Sequence, residues 1–237
     1  MTKSGLLLLA LLSVACRKNE PALQAAPPLP PRYVFIDGGA NIGQTILEFE
    51  KSTLHSKHPW TVVSFEPNPE LVPKIPKRPN VTVLEQAIWT KDETLEFQFA
   101  PQEPLGGSLV GSVVKFPEMK KLKVKAIDFG HWLEHTYRRE DVIYVKFDIE
   151  GAEYPVIEQM LHDGTIKMID RFYIEFHGVQ QAIADKKSEA EITAVQKHDH
   201  ELVQAITGLG IAVSLHLTHE PQGSYFEFNP EKWGQPW

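Results

Sequence analysis

Val34-Phe35-Ile36-Asp37-Gly38-Gly39-Ala40-Asn41-Ile42-Gly43 reads as an apolar strand that ends in an acid and runs through a glycine turn into a helix opening near Ile42. Gly39 and Gly43 allow close backbone approach, and a helix mouth offers unpaired N–H groups and a positive dipole end to an anionic ligand. The stretch therefore predicts a nucleoside-cofactor cradle at the end of the first strand of an α/β sheet.

Spacing decides which cofactor. A dinucleotide fingerprint needs G-x-G-x-x-G, and Ala40 stands where the second glycine should admit a pyrophosphate, which argues against a nicotinamide dehydrogenase. An acid two residues before Gly39, with Gly43 four residues after it, suits an S-adenosylmethionine pocket, with the methionine carboxylate at the helix mouth. Asn41 stands in place of a more usual glycine and is among the residues that tolerate positive φ. The next strand, 61–65, ends at Glu66 before Pro67-Asn68-Pro69, which places an acid to accept both ribose hydroxyls. Taken without those neighbours, Glu66 could equally cap an ordinary loop. The candidate cofactor residues are Asp37, Gly38, Gly39, Ala40, Asn41, Gly43, Glu66 and Asp148.

Further along, Val142-Ile143-Tyr144-Val145-Lys146-Phe147-Asp148-Ile149-Glu150-Gly151-Ala152-Glu153 is followed about twenty residues later by Phe172-Tyr173-Ile174-Glu175-Phe176-His177. With DGGANIG, FEPNP, KFDIEGAE and the Glu175/His177 pair in this order, the chain resembles the FkbM-type methyltransferases, a branch of the class I S-adenosylmethionine-dependent enzymes. KFDIEGAE is the most specific element, and the likeness spans residues 33–228. The resemblance implies a Rossmann-like fold with a mostly parallel seven-stranded sheet. It also implies methyl transfer to a hydroxyl, often on a sugar or a glycosylated or polyketide product.

The chain has 237 residues, 42% of them hydrophobic and 23% charged, enough for one α/β core. A net charge of −7 argues against nucleic acid as a partner, since phosphate binding wants a basic face. Lys115, Lys120, Lys121, Lys123 and Lys125 form a local basic run that reads as the solvated face of a strand. At the N-terminus, Lys3, the apolar run 6–15 and the single cysteine, Cys16, read as a secretory or lipoprotein-like leader over 1–16. The run is too short for a bilayer span, which takes about 20 residues. Ser13-Val14-Ala15-Cys16 is similar to a bacterial lipobox, with serine where leucine is commonest. A Pro/Ala-rich tether over 17–31 then precedes the domain at 32–237. The leader predicts export or membrane anchoring, through itself or a lipidated Cys16. Because S-adenosylmethionine is made in the cytosol, a position on the cytoplasmic face is the alternative.

The chain alternates as α/β folds do. Residues 33–37, 61–65, 81–89, 142–147 and 172–176 read as parallel strands, 95–99 and 122–127 as an inserted antiparallel pair, and 104–111 as a glycine-rich loop between them. Helices are expected around 42–49, over 129–137, after Pro155 and along 192–209. Residues 211–217 and 224–228 are expected to close the sheet as an antiparallel hairpin.

Asp148 and Glu150 follow a strand's carboxyl end and His177 follows another, where open α/β sheets place ligands. His177, Glu150 and Asp148 are the candidate catalytic residues. Methyl transfer to an alcohol needs a proton acceptor, and a neutral imidazole or a carboxylate there contributes about 10² to 10⁴-fold. His177 is the first choice as base and Glu150 the second, with Asp148 set toward the sulfonium and Glu153 complementing a helix dipole. Asp148, Glu150, Glu175 and His177 could instead gather a divalent cation, the less favoured arrangement. The competing class is a membrane-tethered lipoprotein that keeps the fold for ligand binding without catalysis.

Overall fold

A computed structural model describes residues 29–100, 103–110 and 118–217. The chain divides after Pro30, and every element below lies in the unit Pro31–Trp237. The leader lies outside the described residues, and among those residues no helix is long and apolar enough to cross a membrane.

The main sheet contains β1 (Tyr33–Gly38), β2 (Trp60–Phe65), β3 (Val81–Leu84), β8 (Val142–Phe147), β9 (Arg171–Phe176) and β10 (Ala212–Leu217), in the order β10-β9-β8-β1-β2-β3. Each neighbouring pair is parallel. The order reverses at β1, so the carboxyl ends of β1 and β8 flank a topological switch point, where such sheets bind ligands.

Alternation along the strands sorts the helices onto the two faces. Phe35, Tyr144 and Tyr173 pack with Ile46 and Phe49 of α1 (Gln44–Lys51) on one side. Val34, Ile36, Ile143, Val145, Phe172 and Ile174 face the other side. There they meet Leu133 of α3 (Phe129–Thr136), Val156, Ile157 and Met160 of α4 (Glu153–Asp163), and Leu202, Val203 and Ile206 of α6 (Glu189–Thr207). Strands buried on both faces explain the near-continuous apolar runs in the sequence. Two short helices, α2 (Thr53–Lys57) and α5 (Gly178–Ala184), have no clear periodicity to announce them.

A second sheet holds β4 (Ala87–Trp89), β5 (Glu93–Ala100), β6 (Glu103–Ser108) and β7 (Lys120–Asp128), in the order β4-β7-β5-β6. The expected antiparallel pair is β5 with β7. Two expectations are corrected here. Residues 81–89 are not one strand: the Gln86 N–H returns to the Leu84 carbonyl at 2.8 Å, and the chain leaves β3 to pair β4 with β7 in the second sheet. The glycine-rich segment is largely strand β6, paired antiparallel with β5. Gly107 suits it because a methyl there would meet the Phe97 ring at 2.2 Å.

Among the described residues the main sheet has six strands, where seven are expected. β10 runs parallel to β9, and 224–228, the expected return limb of the hairpin, lies outside the described residues.

Gly39, at φ 76°, leaves no room for a side chain, since a methyl would meet the Asp148 carbonyl oxygen at 1.8 Å. Gly164 caps α4 at φ 84° with nothing within 4 Å of such a methyl. Gly164→Ala is therefore expected to cost only the left-handed backbone term, about 1–2 kcal/mol. Gly39→Ala should cost clearly more, because turn and β8 must also separate. Urea unfolding of both variants checks the difference, and equal losses would contradict the close approach.

Candidate active site

A cleft of about 570 Å³, its open mouth included, lies at the switch point, where open α/β sheets bind ligands. Gly39 and Asn41 from the turn after β1, Glu66 after β2, and Asp148 and Glu150 after β8 all line it. The second sheet closes one side through Phe97, Gly107 and Leu109. Asp37, Gly38, Ala40 and Gly43 stand behind the lining rather than in it, and so does His177.

The turn is built as its sequence predicts in φ, with Gly39 at 76°, Asn41 at 52° and Gly43 at 87°. Its donors are used differently. The N–H groups of Gly39 and Ala40 both reach the Phe65 carbonyl, at 3.0 and 2.9 Å, and that of Gly43 reaches the Ala40 carbonyl at 2.7 Å. α1 opens at Gln44, with Gly43 as its N-cap, two residues later than expected. The Gly39 and Ala40 amides thus bind the turn to β2 and that of Gly43 closes the turn itself, instead of facing a ligand. What the turn presents to the cleft is its backbone at Gly39 and the side chain of Asn41. The buried Asn41 Oδ1 has no hydrogen-bond partner among the described residues.

Glu66 is 4% exposed. Its Oε2 accepts the Asn41 N–H at 2.8 Å and its Oε1 accepts the Asn68 N–H at 2.8 Å. Burial pushes its carboxyl up to about 7, against these two hydrogen bonds. Each oxygen keeps a further lone pair.

Behind the cleft lies a buried cation. Lys146 is 1% exposed, and its Nζ donates to the carbonyls of Gly38 and Gly39 at 3.2 and 2.9 Å. It also lies 3.4 Å from Asp37 Oδ1 and 3.2 Å from Asp148 Oδ2. Burial opposes its charge, but Asp148 and then Asp37 outweigh that and raise its pKa. Asp37 is fully buried, and burial raises its pKa while Lys146 works to lower it. Asp37 therefore holds Lys146 and does not reach into the cleft. Lys146 leaves one trace in the sequence, a charge inside a strand otherwise apolar on both faces, which burial tolerates only when paired.

Around His177 the polarity reverses. Its Nδ1 lies 3.1 Å from Glu153 Oε1. Its Nε2 lies 3.6 Å from Asp148 Oδ1, 3.7 Å from Glu150 Oε2 and 3.7 Å from Glu175 Oε1. Glu153, beyond its place in the first turn of α4, takes the N–H groups of Ile149 and Gly151 at 2.7 and 2.8 Å and so shapes the loop that carries Glu150. Glu150 sits at φ 56°, an unusual backbone for a non-glycine residue and one that recurs at functional sites. Its carbonyl accepts the Ser108 hydroxyl at 2.6 Å, which ties the loop to the second sheet. Gly178, next to His177, donates its N–H to Tyr154 at 3.0 Å, and Tyr154 donates to Asp199 at 2.8 Å.

Burial disfavours the His177 cation, yet Glu150 and Glu153 outweigh it and raise the ring's pKa well above its ordinary value. Burial pushes Glu150 up to about 7 and Glu175 up to about 8. The sequence choice of His177 as base needs a neutral ring at neutral pH, and four surrounding carboxylates favour the protonated one. Two groups lining the cleft have proton affinity near neutrality, Glu66 and Glu150, and of these Glu66 is engaged by two backbone amides. His198 pairs with Glu158 on the surface at 2.9 Å and stacks on the Tyr154 ring.

The family model described as Methyltransferase FkbM domain matches residues 37–206, a span that holds every residue named at this site. Neither the search of curated proteins nor that of solved structures finds a match to the chain.

Removing Lys146 leaves Asp37 buried without its counter-ion, so Lys146→Met is expected to destabilise the fold by about 3–5 kcal/mol. Asp37→Asn combined with Lys146→Met should recover part of that loss. Denaturant melts of the two variants check this, and a double variant no more stable than the single one would break the assignment.

Proposed function

The chain belongs to the FkbM methyltransferase family, and on that premise we propose that its cleft binds S-adenosylmethionine and that the domain methylates a hydroxyl of a sugar, glycan or other hydroxylated acceptor. The observation that carries this reading is Glu66, fixed by the Asn41 and Asn68 amides, set in one cleft with Asp148 and Glu150. The unpartnered Asn41 Oδ1 in the same wall also fits a ligand with hydrogen-bond donors.

The cofactor supplies a methyl group already activated by a sulfonium, so the protein's work is alignment and proton removal. In this reading the free lone pairs of Glu66 accept the ribose hydroxyls. Asp148 sets negative charge near the sulfonium. Glu150 takes the proton of the acceptor hydroxyl at a carboxylate oxygen, and its pKa near 7 suits that task at neutral pH. His177 and Glu153 hold the Glu150 loop in place. An anchored position, through the leader at 1–16 or a lipidated Cys16, remains part of the proposal on the strength of the Ser13–Cys16 motif. Fractionation of cells expressing the chain and its Cys16→Ala variant tests it, and an unchanged soluble distribution of both would remove it.

Calorimetric titration with S-adenosylmethionine should give binding in the range of about 1 μM to 1 mM usual for enzyme substrates. Hydroxyl donors favour the ionised form of Glu66. Affinity should therefore hold above pH 7 and fall as pH drops below the free carboxyl's pKa of about 7, by up to about tenfold per unit. Glu66→Gln should bind more weakly and lose that slope. A well-folded chain that binds no cofactor would sink the reading.

Glu150→Gln should keep cofactor affinity while turnover with a hydroxylated acceptor falls by about 10² to 10⁴-fold. Full activity in this variant would move the base elsewhere.

A further inference from the structure

We propose that Asp148, Glu175 and His177 form a divalent-cation site on the inner wall of the cleft, suited to a hard ion such as Mn²⁺ or Mg²⁺. One ligand atom from each of the three lies within 4.8 Å of the others. Two further observations point to an ion rather than to a mere cluster of charge.

The first is the orientation of His177. Glu153 Oε1 also accepts the Ile149 N–H, so the Glu153 carboxylate acts as an acceptor and the 3.1 Å contact places the proton on His177 Nδ1. In the neutral ring, the form a cation binds, that leaves the Nε2 lone pair facing Asp148, Glu150 and Glu175, so an ion there takes the place of the Nε2 proton that the same carboxylates otherwise hold. A carboxylate behind the imidazole, with the other nitrogen turned toward further ligands, is the arrangement that orients metal-binding histidines. The gaps of 3.6 to 3.7 Å from Nε2 to the three oxygens exceed hydrogen-bond length. They suit ligands that share a centre: donors at about 2.0–2.2 Å from an ion stand about 3 Å apart at right angles and about 4 Å apart when opposed.

The second is Glu175. It is 9% exposed, and its buried Oε2 has no hydrogen-bond partner among the described residues. A buried carboxylate oxygen without a donor is costly unless something positive completes it. Lys146 makes its ion pairs and hydrogen bonds to Asp37, Asp148 and two carbonyls, and its attraction for Glu175 leaves the buried Oε2 without a donor.

Asp148 keeps 24% of its side chain exposed and lines the cleft, which gives an ion a way in and leaves positions for water or a ligand. Oxygen donors with one imidazole favour Mn²⁺ or Mg²⁺ over softer ions. The site's use rests on the methyltransferase reading: an acceptor hydroxyl bound to the ion would lose its proton more readily, and Glu150 would take it. Binding of the ion does not rest on that reading.

The test is a titration of Mn²⁺ into the chelator-treated full-length chain, with free ion followed by electron paramagnetic resonance. One ion per chain is expected. Glu175→Gln, which keeps the side chain's shape, should weaken binding at least about tenfold, and Glu153→Gln about 10–100-fold through loss of the His177 support. His177→Ala should abolish saturable binding. No saturable binding by the unmodified chain overturns the site, as does binding unchanged by both Glu175→Gln and His177→Ala. Cofactor titration of the same sample keeps the two readings apart. S-adenosylmethionine bound without Mn²⁺ removes the ion alone, and Mn²⁺ bound without S-adenosylmethionine removes the methyltransferase reading and leaves the ion.

Discussion

The cleft depends on one buried ammonium. Lys146 Nζ joins the last carbonyls of β1 and its turn to the acid that follows β8, so both walls of the switch point are held by a single group. An unpaired ammonium in that position would cost several kcal/mol, and its retention requires partners of good geometry. Asp37 supplies the charge from below and Asp148 from the cleft side. The Asp148 N–H adds a bond to the Gly38 carbonyl at 3.2 Å. The turn and the loop after β8 therefore share one reference point, and the tight approach of Gly39 to Asp148 follows from it.

The parallel core was legible because strands buried on both faces need continuous apolar runs, and those runs end in acids that mark the carboxyl edge. Asn41 at positive φ, Glu66 in the cleft and Asp148 beside Glu150 all stand where the motifs place them. The misreadings are of another kind. Nothing local separates β3 from β4, because the break at Glu85-Gln86 is set by pairing with a distant strand. β6 carries two glycines that read as loop, and only the Phe97 ring lying against Gly107 gives them a strand's reason. Asp37 is clear as a strand-end acid, but sequence cannot tell a ligand contact from a counter-ion to a buried lysine 109 positions away.

The second sheet also has a role that element prediction alone could not assign. It covers the cleft with Phe97, Gly107 and Leu109 and reaches the loop after β8 through the Ser108 hydroxyl on the Glu150 carbonyl. Glu150 is thus held by three independent elements: the hydroxyl of β6, the Glu153 carboxylate at the start of α4, and its own link to β8. A non-glycine residue at φ 56° costs of order 1–3 kcal/mol, and such overdetermination is what allows it to persist.

The acids of the site divide by what they do for the fold. Glu66 and Glu153 accept backbone N–H groups that would otherwise be orphaned, and Asp37 balances Lys146. Replacing any of these damages structure whatever the protein binds. Glu150 and Glu175 each lie 3.7 Å from His177 Nε2, and burial works against the charge of both. Side chains that burden a fold while building little of it are cheaply lost where stability alone is selected, and tend to be retained where function uses the strain they impose. Their place, beside the cleft and facing an imidazole oriented from behind by Glu153, is where proton transfer or an ion would draw on that surplus negative charge.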